Sequence, residues 1–279
     1  MKSIFDQVSF DCSKKVTQSY STSFLHATNM LAPSIRPAIH SIYGFVRFAD
    51  EIVDSFHDSD KEYLLEKFEE EFKDALRHGI SLNPIINSFQ LTIKKYNIDL
   101  ALVDAFLNSM KMDLVKSNYT HPFEYNEYIY GSAEVVGLMC LKVFVNGDDK
   151  KYEELKESAK YLGAAFQKVN FLRDLKSDIE ILNRSYFPNV DLKNLDQEAK
   201  QSIILEIEED FKKAFEGIVH LPTTSKFGVY TAYVYYKKLL HKLSRTPSFK
   251  IMDSRIRVQN HIKFGLLLKS YAQVKLNML

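Results

Sequence analysis

The chain has 279 residues, 46% of them hydrophobic and 26% charged. Its 37 Lys and Arg nearly balance 36 Asp and Glu, which argues against a nucleic-acid-binding domain defined by bulk basicity and against an acidic disordered chain. Only 9 Gly and 7 Pro occur, too few turn residues for many short strands or for a doubly wound fold with Gly-rich loops, so long helices are expected.

The N-terminus, Met1-Lys2-Ser3-Ile4-Phe5-Asp6, lacks the apolar stretch and small-residue cleavage site of a secretory signal. From Ala38 the residues Ile39, Ile42, Tyr43, Val46, Ala49 and Val53 follow three- and four-residue spacing and predict a helix. The segment from Tyr63 to Leu76 is charged on one face, with Leu64, Leu65, Phe68, Phe72 and Leu76 on the other. The same helical pattern returns over Leu100 to Val115, Tyr152 to Ile181, Glu198 to Val219 and Tyr230 to Leu243. Breaks are expected at Ala32-Pro33 with Pro37, Gly79 to Pro84, His121-Pro122, Asn146 to Asp148, Asn183 to Asp191, Leu221-Pro222 and Thr246-Pro247. The Tyr-rich run from Tyr230 to Tyr236 has strand propensity, but it leads into Lys237-Lys238-Leu239-Leu240 with helical spacing and is read as helix. No linker divides the chain, so residues 1–279 are expected to form a single all-α domain.

Cys12 and Cys140 form no C-x-x-C pair, which removes a zinc ribbon or thioredoxin-like motif, and Cys140 in its apolar run reads as a small buried hydrophobe. No uncharged run reaches the roughly 18 residues that a transmembrane helix needs. The expectation is a cytoplasmic protein, with peripheral membrane contact left open.

Two segments are chemically unusual. Arg47-Phe-Ala-Asp50-Glu51-Ile-Val-Asp54 and Asn170-Phe-Leu-Arg173-Asp174-Leu-Lys-Ser-Asp178 each place two aspartates four apart on one helical face, with an arginine beside them. Like charges at that spacing destabilise a bare helix, so such pairs need water or a cation. If the two helices face each other, four aspartates converge. Magnesium suits such a site because it takes hard oxygen ligands and keeps waters or phosphate oxygens, while the arginines would bind phosphate in forked geometry. The alternative is two solvated helix faces.

The flanks of these segments resemble the phytoene/squalene synthase family. The resemblance runs through Tyr20-Ser-Thr-Ser-Phe24, Ser41 to Asp54, Tyr128-Ile-Tyr-Gly-Ser-Ala-Glu-Val-Val-Gly137, Gln167 to Asp178, Arg184-Ser-Tyr186-Phe-Pro188 and, more weakly, Arg255-Ile-Arg257. It covers about residues 10 to 270, and within the family bacterial phytoene synthases look most similar. The resemblance implies an isoprenoid-synthase helical bundle around a central cavity, in which two prenyl diphosphates are joined head to head through a cyclopropyl diphosphate. It implies that Asp50, Glu51, Asp54, Asn170, Asp174 and Asp178 hold magnesium, with manganese as a substitute. Glu51 stands where the family usually has a second aspartate. Arg47, Arg173 and Arg255 would share the diphosphate charge. Tyr43, Tyr128 and Tyr236 would bond diphosphate or face the carbocation, with Tyr235 as the competitor of Tyr236. Ser21, Ser23 and Gln167 fall near diphosphate, while Phe24, Ala133 and Gly137 border the prenyl pocket. NADPH would enter only in a squalene synthase. The expected partners are prenyl diphosphates, not nucleic acid.

Three departures stand out. Thr22 replaces a lysine common in the family, Glu134 replaces a common glycine and would need a partner, and one extra residue lies between Asp178 and Arg184. One residue turns a helix by about 100°, so Arg184 and Tyr186 keep their roles only if a loop absorbs it. Thr28 lies one turn after Phe24 and is small, as are Ser132 and Ala133, which leans towards a long pocket, geranylgeranyl diphosphate and phytoene. A farnesyl-using squalene or dehydrosqualene synthase and a non-catalytic helical assembly protein remain the alternatives.

Overall fold

The computed structural model describes every residue except 120, 183, 189, 191–194, 254, 277 and 279. The turn expected over 183–191 falls partly outside the described residues. Among those described, the order is α1 (Lys2–Tyr20), α2 (Thr22–Asn29), α3 (Arg36–Ser55), α4 (Lys61–His78), α5 (Pro84–Tyr96), α6 (Leu100–Val115) and α7 (Pro122–Ile129). A π-helical turn, Tyr130–Glu134, then leads into α8 (Val135–Phe144), α9 (Asp149–Glu180), α10 (Gln197–Ile218), α11 (Thr223–Arg245), α12 (Ser248–Asp253) and α13 (Asn260–Lys275). The Tyr-rich run lies inside α11, so helical spacing outweighed strand propensity there.

The helix starts follow local chemistry. Asp60, Asn83, Asp99, Asp148 and Asp196 each accept a hydrogen bond from a first-turn backbone N–H, which satisfies donors that the helix cannot. Gly79 ends α4 at φ 70°, a left-handed conformation that glycine adopts without penalty.

The core beside α3 is aromatic. Phe45 is fully buried, stacks on Phe89 at 4.1 Å and meets Phe68, Phe72 and Phe106. Helix α1 escaped the periodicity reading for a physical reason. Its buried face is Ser9, Ser13 and Thr17, small polar residues four apart rather than apolar ones. Their hydroxyls are satisfied across the interface: Ser13 meets Ser88 at 2.7 Å and Thr17 meets His40 Nδ1 at 3.0 Å. Burial holds the His40 ring neutral, with its pKa down to about 4.

Close backbone approach is required where α9 crosses the π-helical turn. A Cβ on Gly163 would stand 2.6 Å from the Ala133 carbonyl oxygen and 3.0 Å from its carbon. Both are backbone atoms and cannot rotate away. Gly163→Ala is therefore expected to cost about 1–3 kcal/mol and lower the melting temperature by several degrees. Gly265→Ala in α13, where nothing lies within 4 Å, is expected to leave it unchanged or slightly higher. Thermal unfolding followed by circular dichroism checks both.

Candidate active site

Helices α2, α3, α6, α8, α9, α10 and α11 surround a cavity of about 470 Å³. One end is charged, with Asp50 and Asp54 from α3 facing Asp174 and Asp178 from α9. The other end is apolar, formed by residues such as Leu31, Ile39, Phe144, Leu155 and Ile218. Phe24 and Thr28 both reach the wall from one face of α2, as their spacing requires, and Phe24 stacks on Tyr43 at 4.7 Å. Ala133 and Gly137 line it from the π-helical turn and α8. Sequence reasoning did not foresee that turn, whose extra residue per helical repeat brings Ser132 and Ala133 onto the wall.

Two of the aspartates resist ionisation. Burial, reinforced by Asp54, raises the Asp50 carboxyl to about 7. Burial, reinforced by Asp174 and Asp54, raises Asp178 to about 8. Two of the partners are pinned by arginine. Asp174 is gripped by Arg173 on its own helix and by Arg255, whose Nε lies 2.7 Å from Oδ1 and whose Nη2 donates to Oδ2 at 3.2 Å. Arg184 Nη1 donates to Asp54 Oδ1 at 2.7 Å. The Tyr236 hydroxyl donates to Asn170 Oδ1 at 3.3 Å and its ring stacks on Phe166, whereas Tyr235 points away, buried outside the cavity wall. The helical phase thus selects Tyr236.

Arg184 reaches this position from beyond the end of α9. Helix α9 ends at Glu180, and the Arg184 N–H donates back to the Asp178 carbonyl at 2.7 Å. A parallel bridge then clasps Ser185 to Asn118: Ser185 N donates to Ser117 O and Tyr119 N to Ser185 O. The guanidinium also donates to the Asp113 carbonyl oxygen at 3.1 Å and lies 3.6 Å from its carboxylate.

Asp113 was missed by sequence reasoning. It is buried, its carboxyl is raised to about 6 mainly by burial, and it accepts from Tyr128 at 2.7 Å and Tyr119 at 3.2 Å. A signal existed. Phe106, Met110 and Asp113 follow the spacing of the buried face of α6, so an acid there needed a partner. Tyr128 is correspondingly committed: its hydroxyl serves Asp113, and its ring stacks with Tyr186, which lies flat on Phe171 at 3.9 Å.

Several expected positions fall elsewhere. Glu51 is not on the cavity wall. It bonds Arg47, with Ser55 and Tyr20 nearby, because its place one residue after Asp50 turns it about 100° from the aspartate face. Arg47 lines the cavity but is held by Glu51 and lies over the Tyr20 ring at 4.4 Å. Ser21 is off the wall. It caps α2 by accepting from Phe24 N and lies beside the Tyr43 hydroxyl, whose pKa burial pushes up to about 12. Ser23, in the first turn of α2, is also off the wall. Gln167 is on it and donates weakly to Ser132 at 3.5 Å. Glu134 has found its partner in Lys160, 3.8 Å away. Cys140 is half-buried on the wall, and burial raises its thiol to about 12, which disfavours the thiolate.

The Squalene/phytoene synthase family profile matches residues 17–261. The chain belongs to this family. Phytoene synthase of Arthrospira platensis is 26% identical over 275 residues, which cover 90% of this chain and 88% of that one. Phytoene synthase 1 of Solanum lycopersicum is 27% identical over 84% of this chain and 61% of its own length, so the chain spans less than two thirds of the tomato enzyme. Among solved structures, a dehydrosqualene synthase in complex with ligand superposes with a TM-score of 0.82 at 19% identity, covering 97% of this chain and 98% of the other. A squalene synthase from Alicyclobacillus acidocaldarius gives 0.75 at 20% identity over 87% and 95%. The fold is thus the helical isoprenoid-synthase bundle of this family, as the resemblance implied. Among the described residues no helix is long and apolar enough to cross a membrane.

Proposed function

We propose that the protein joins two geranylgeranyl diphosphates head to head, through a cyclopropyl diphosphate, to phytoene. The observation that carries this reading is one cavity with an acidic, arginine-bearing end and an apolar end, with the small Thr28 on its wall. Overall, two substrates give one hydrocarbon, two diphosphates and two protons: one proton leaves as the cyclopropane closes and the other as the rearranged cation collapses to the hydrocarbon.

Magnesium fits the charged end. Burial and the neighbouring aspartates oppose ionisation of the Asp50 and Asp178 carboxyls, so a cation bound beside them would favour their charged forms. Among the described residues no three His, Cys, Asp or Glu side chains form a ready-made cage; magnesium would complete its shell with waters and phosphate oxygens. Asp50, Asp54, Asp174 and Asp178 would hold it, with the Asn170 carbonyl oxygen beside them; Glu51 would have to leave Arg47 to take part. Bound there, magnesium would neutralise the diphosphate as it leaves.

The chain's own residues do the rest. Arg173 and Arg255 sit at the acidic end with both forks on Asp174; released as Asp174 takes the metal, they would offer those donors to phosphate oxygens. Arg47, with Tyr43 and Gln167 along the same wall, extends that surface. The first substrate ionises to an allylic cation, which alkylates the double bond of the second. The apolar end excludes water from the cations, and the stacked faces of Phe24, Tyr43, Phe166 and Tyr236 stabilise them.

Incubating the protein with magnesium and labelled geranylgeranyl or farnesyl diphosphate, then resolving products by mass, tests this. A forty-carbon hydrocarbon is expected from the first, lost on chelation. Thr28→Phe is expected to shift the product ratio towards thirty carbons by about tenfold, since steric loss of a pocket segment costs a few kcal/mol. A thirty-carbon product alone from the unaltered protein, with or without NADPH, would move it to the squalene or dehydrosqualene side. No turnover of either by the folded protein would favour a non-catalytic role.

A further inference from the structure

Joining two prenyl diphosphates head to head expels two protons, and the cavity offers few groups that could take them. Among the described residues its lining holds no histidine, lysine or glutamate. Its carboxylates are those of the two paired motifs and one more, Asp113. The paired aspartates would hold the cation, and Asp54 and Asp174 are also gripped by arginines. Asp113, on α6, belongs to neither motif.

The geometry around Asp113 is that of a relay. The Tyr128 hydroxyl donates to Oδ2 at 2.7 Å, and Tyr128 is itself buried and on the cavity wall. A hydroxyl that donates to a carboxylate keeps its lone pairs as acceptors. Burial and the neighbouring Asp113 hold the Tyr128 phenol well above its ordinary range. It cannot rest as a phenolate or as a doubly protonated oxygen, so any proton it accepts is matched by one it gives. Asp113 is raised to about 6, mainly by burial and partly by Asp54, while Arg184, Tyr128 and Tyr119 oppose the rise. It is thus a stronger base than an ordinary carboxylate and still ionised at pH 8.

On the head-to-head reading of this same site, we propose that Asp113 is the terminal acceptor, through Tyr128, of the proton lost as the cyclopropane closes. The ionised first substrate bonds through its first carbon to the double bond of the second, which leaves a tertiary cation. A C–H bond on that first carbon then breaks. Its electron pair closes the cyclopropane, and its proton goes to the Tyr128 hydroxyl oxygen as Tyr128 passes its own proton to Asp113 Oδ2. Tyr128 ends as it began and Asp113 ends neutral, to return the proton to water between turnovers. The carbon that sheds this proton has just lost its diphosphate. The proton therefore appears at the charged end, where Arg184 ties Asp113 to Asp54.

Kinetics with geranylgeranyl diphosphate carrying hydrogen or deuterium on its first carbon test this. Asp113→Asn keeps the side chain's shape but cannot take the proton. It is expected to lower kcat by about 10²–10³-fold with little change in KM, and to make the deuterated substrate react more slowly than the ordinary one, because C–H cleavage then limits the rate. The unaltered protein is expected to show a smaller difference between the two. Tyr128→Phe breaks the same relay, so its loss is expected to be similar and the double variant no slower than either single one. Tyr119→Phe, off the cavity wall, is expected to cost little. Turnover by Asp113→Asn within about threefold of the unaltered protein would overturn the proposal and leave the proton to the departing diphosphate. A fall without a larger isotope effect, or losses in the two single variants that multiply in the double, would also overturn it. A thirty-carbon product alone would overturn the choice of substrate only. The same proton then leaves, and the same comparison with deuterated farnesyl diphosphate decides the role of Asp113. A folded protein that turns over neither substrate would overturn both.

Discussion

Asp178→Asn is expected to make the metal-free protein more stable at pH 8 while lowering turnover by about 10²–10³-fold. The Asp178 carboxyl is raised from 3.8 to about 8 by burial and by Asp174 and Asp54. The folded chain therefore holds this proton more tightly than the unfolded chain does. The sign follows from linkage: the stability associated with the protonated group is complete below pH 3.8 and is lost as pH rises towards 8. Asp50, raised to about 7, and Asp113, raised to about 6, add losses in the same direction within that window. Asparagine keeps the shape and removes the ionisation, so a gain of about 2–4 kcal/mol is expected at pH 8 and little at pH 4. Melting curves across that range, with and without magnesium, check it. Magnesium is expected to raise the melting temperature of the unaltered protein at pH 8 and to do so much less in the variant. A variant no more stable than its parent at pH 8 would mean that Asp178 is not electrostatically strained, and the argument for a cation at this end would lose its main support.

Arg184→Met is expected to be the most damaging single change outside the aspartates, costing about 3–5 kcal/mol at pH 8. The guanidinium is buried and joins Asp54 on α3, both the carbonyl and carboxylate of Asp113 on α6, and the Tyr186 hydroxyl at 3.4 Å. Methionine fills much of the volume but leaves two carboxylates without their cation. Asp113 responds by holding its proton, because Arg184 is what opposes the burial that raises it. The cost is therefore smaller at pH 6 than at pH 8, and the gap between the two melting curves widens with pH. Adding Asp113→Asn should recover about half of the loss, since a neutral amide no longer needs the guanidinium. Full loss in the double variant, independent of pH, would show that Arg184 acts by packing rather than by charge.

What the sequence determined by itself was carried by local periodicity and by residue chemistry. Helices α3, α4, α6, α9, α10 and α11 were legible because each has an apolar face at three- and four-residue spacing. The four aspartates were legible because paired acids in apolar helices demand an explanation wherever the helices lie. Phe24 and Thr28 were placed on one face because a single helical turn separates them. Tertiary structure decided whatever depends on which surface a face meets. Helix α1 buries serines and a threonine, and only α3 and α5 supply the hydroxyl and imidazole partners that make such burial tolerable. Glu51 and Asp50 are adjacent in sequence, yet 100° of helical rotation sends one to Arg47 and the other to the cavity. Asp113 and Arg184 are 71 residues apart. They meet through the Asn118–Ser185 bridge and the loop after α9, which no local pattern encodes. A periodic pattern states that a face is buried or exposed, while the identity of the partner across it is a property of the packed molecule.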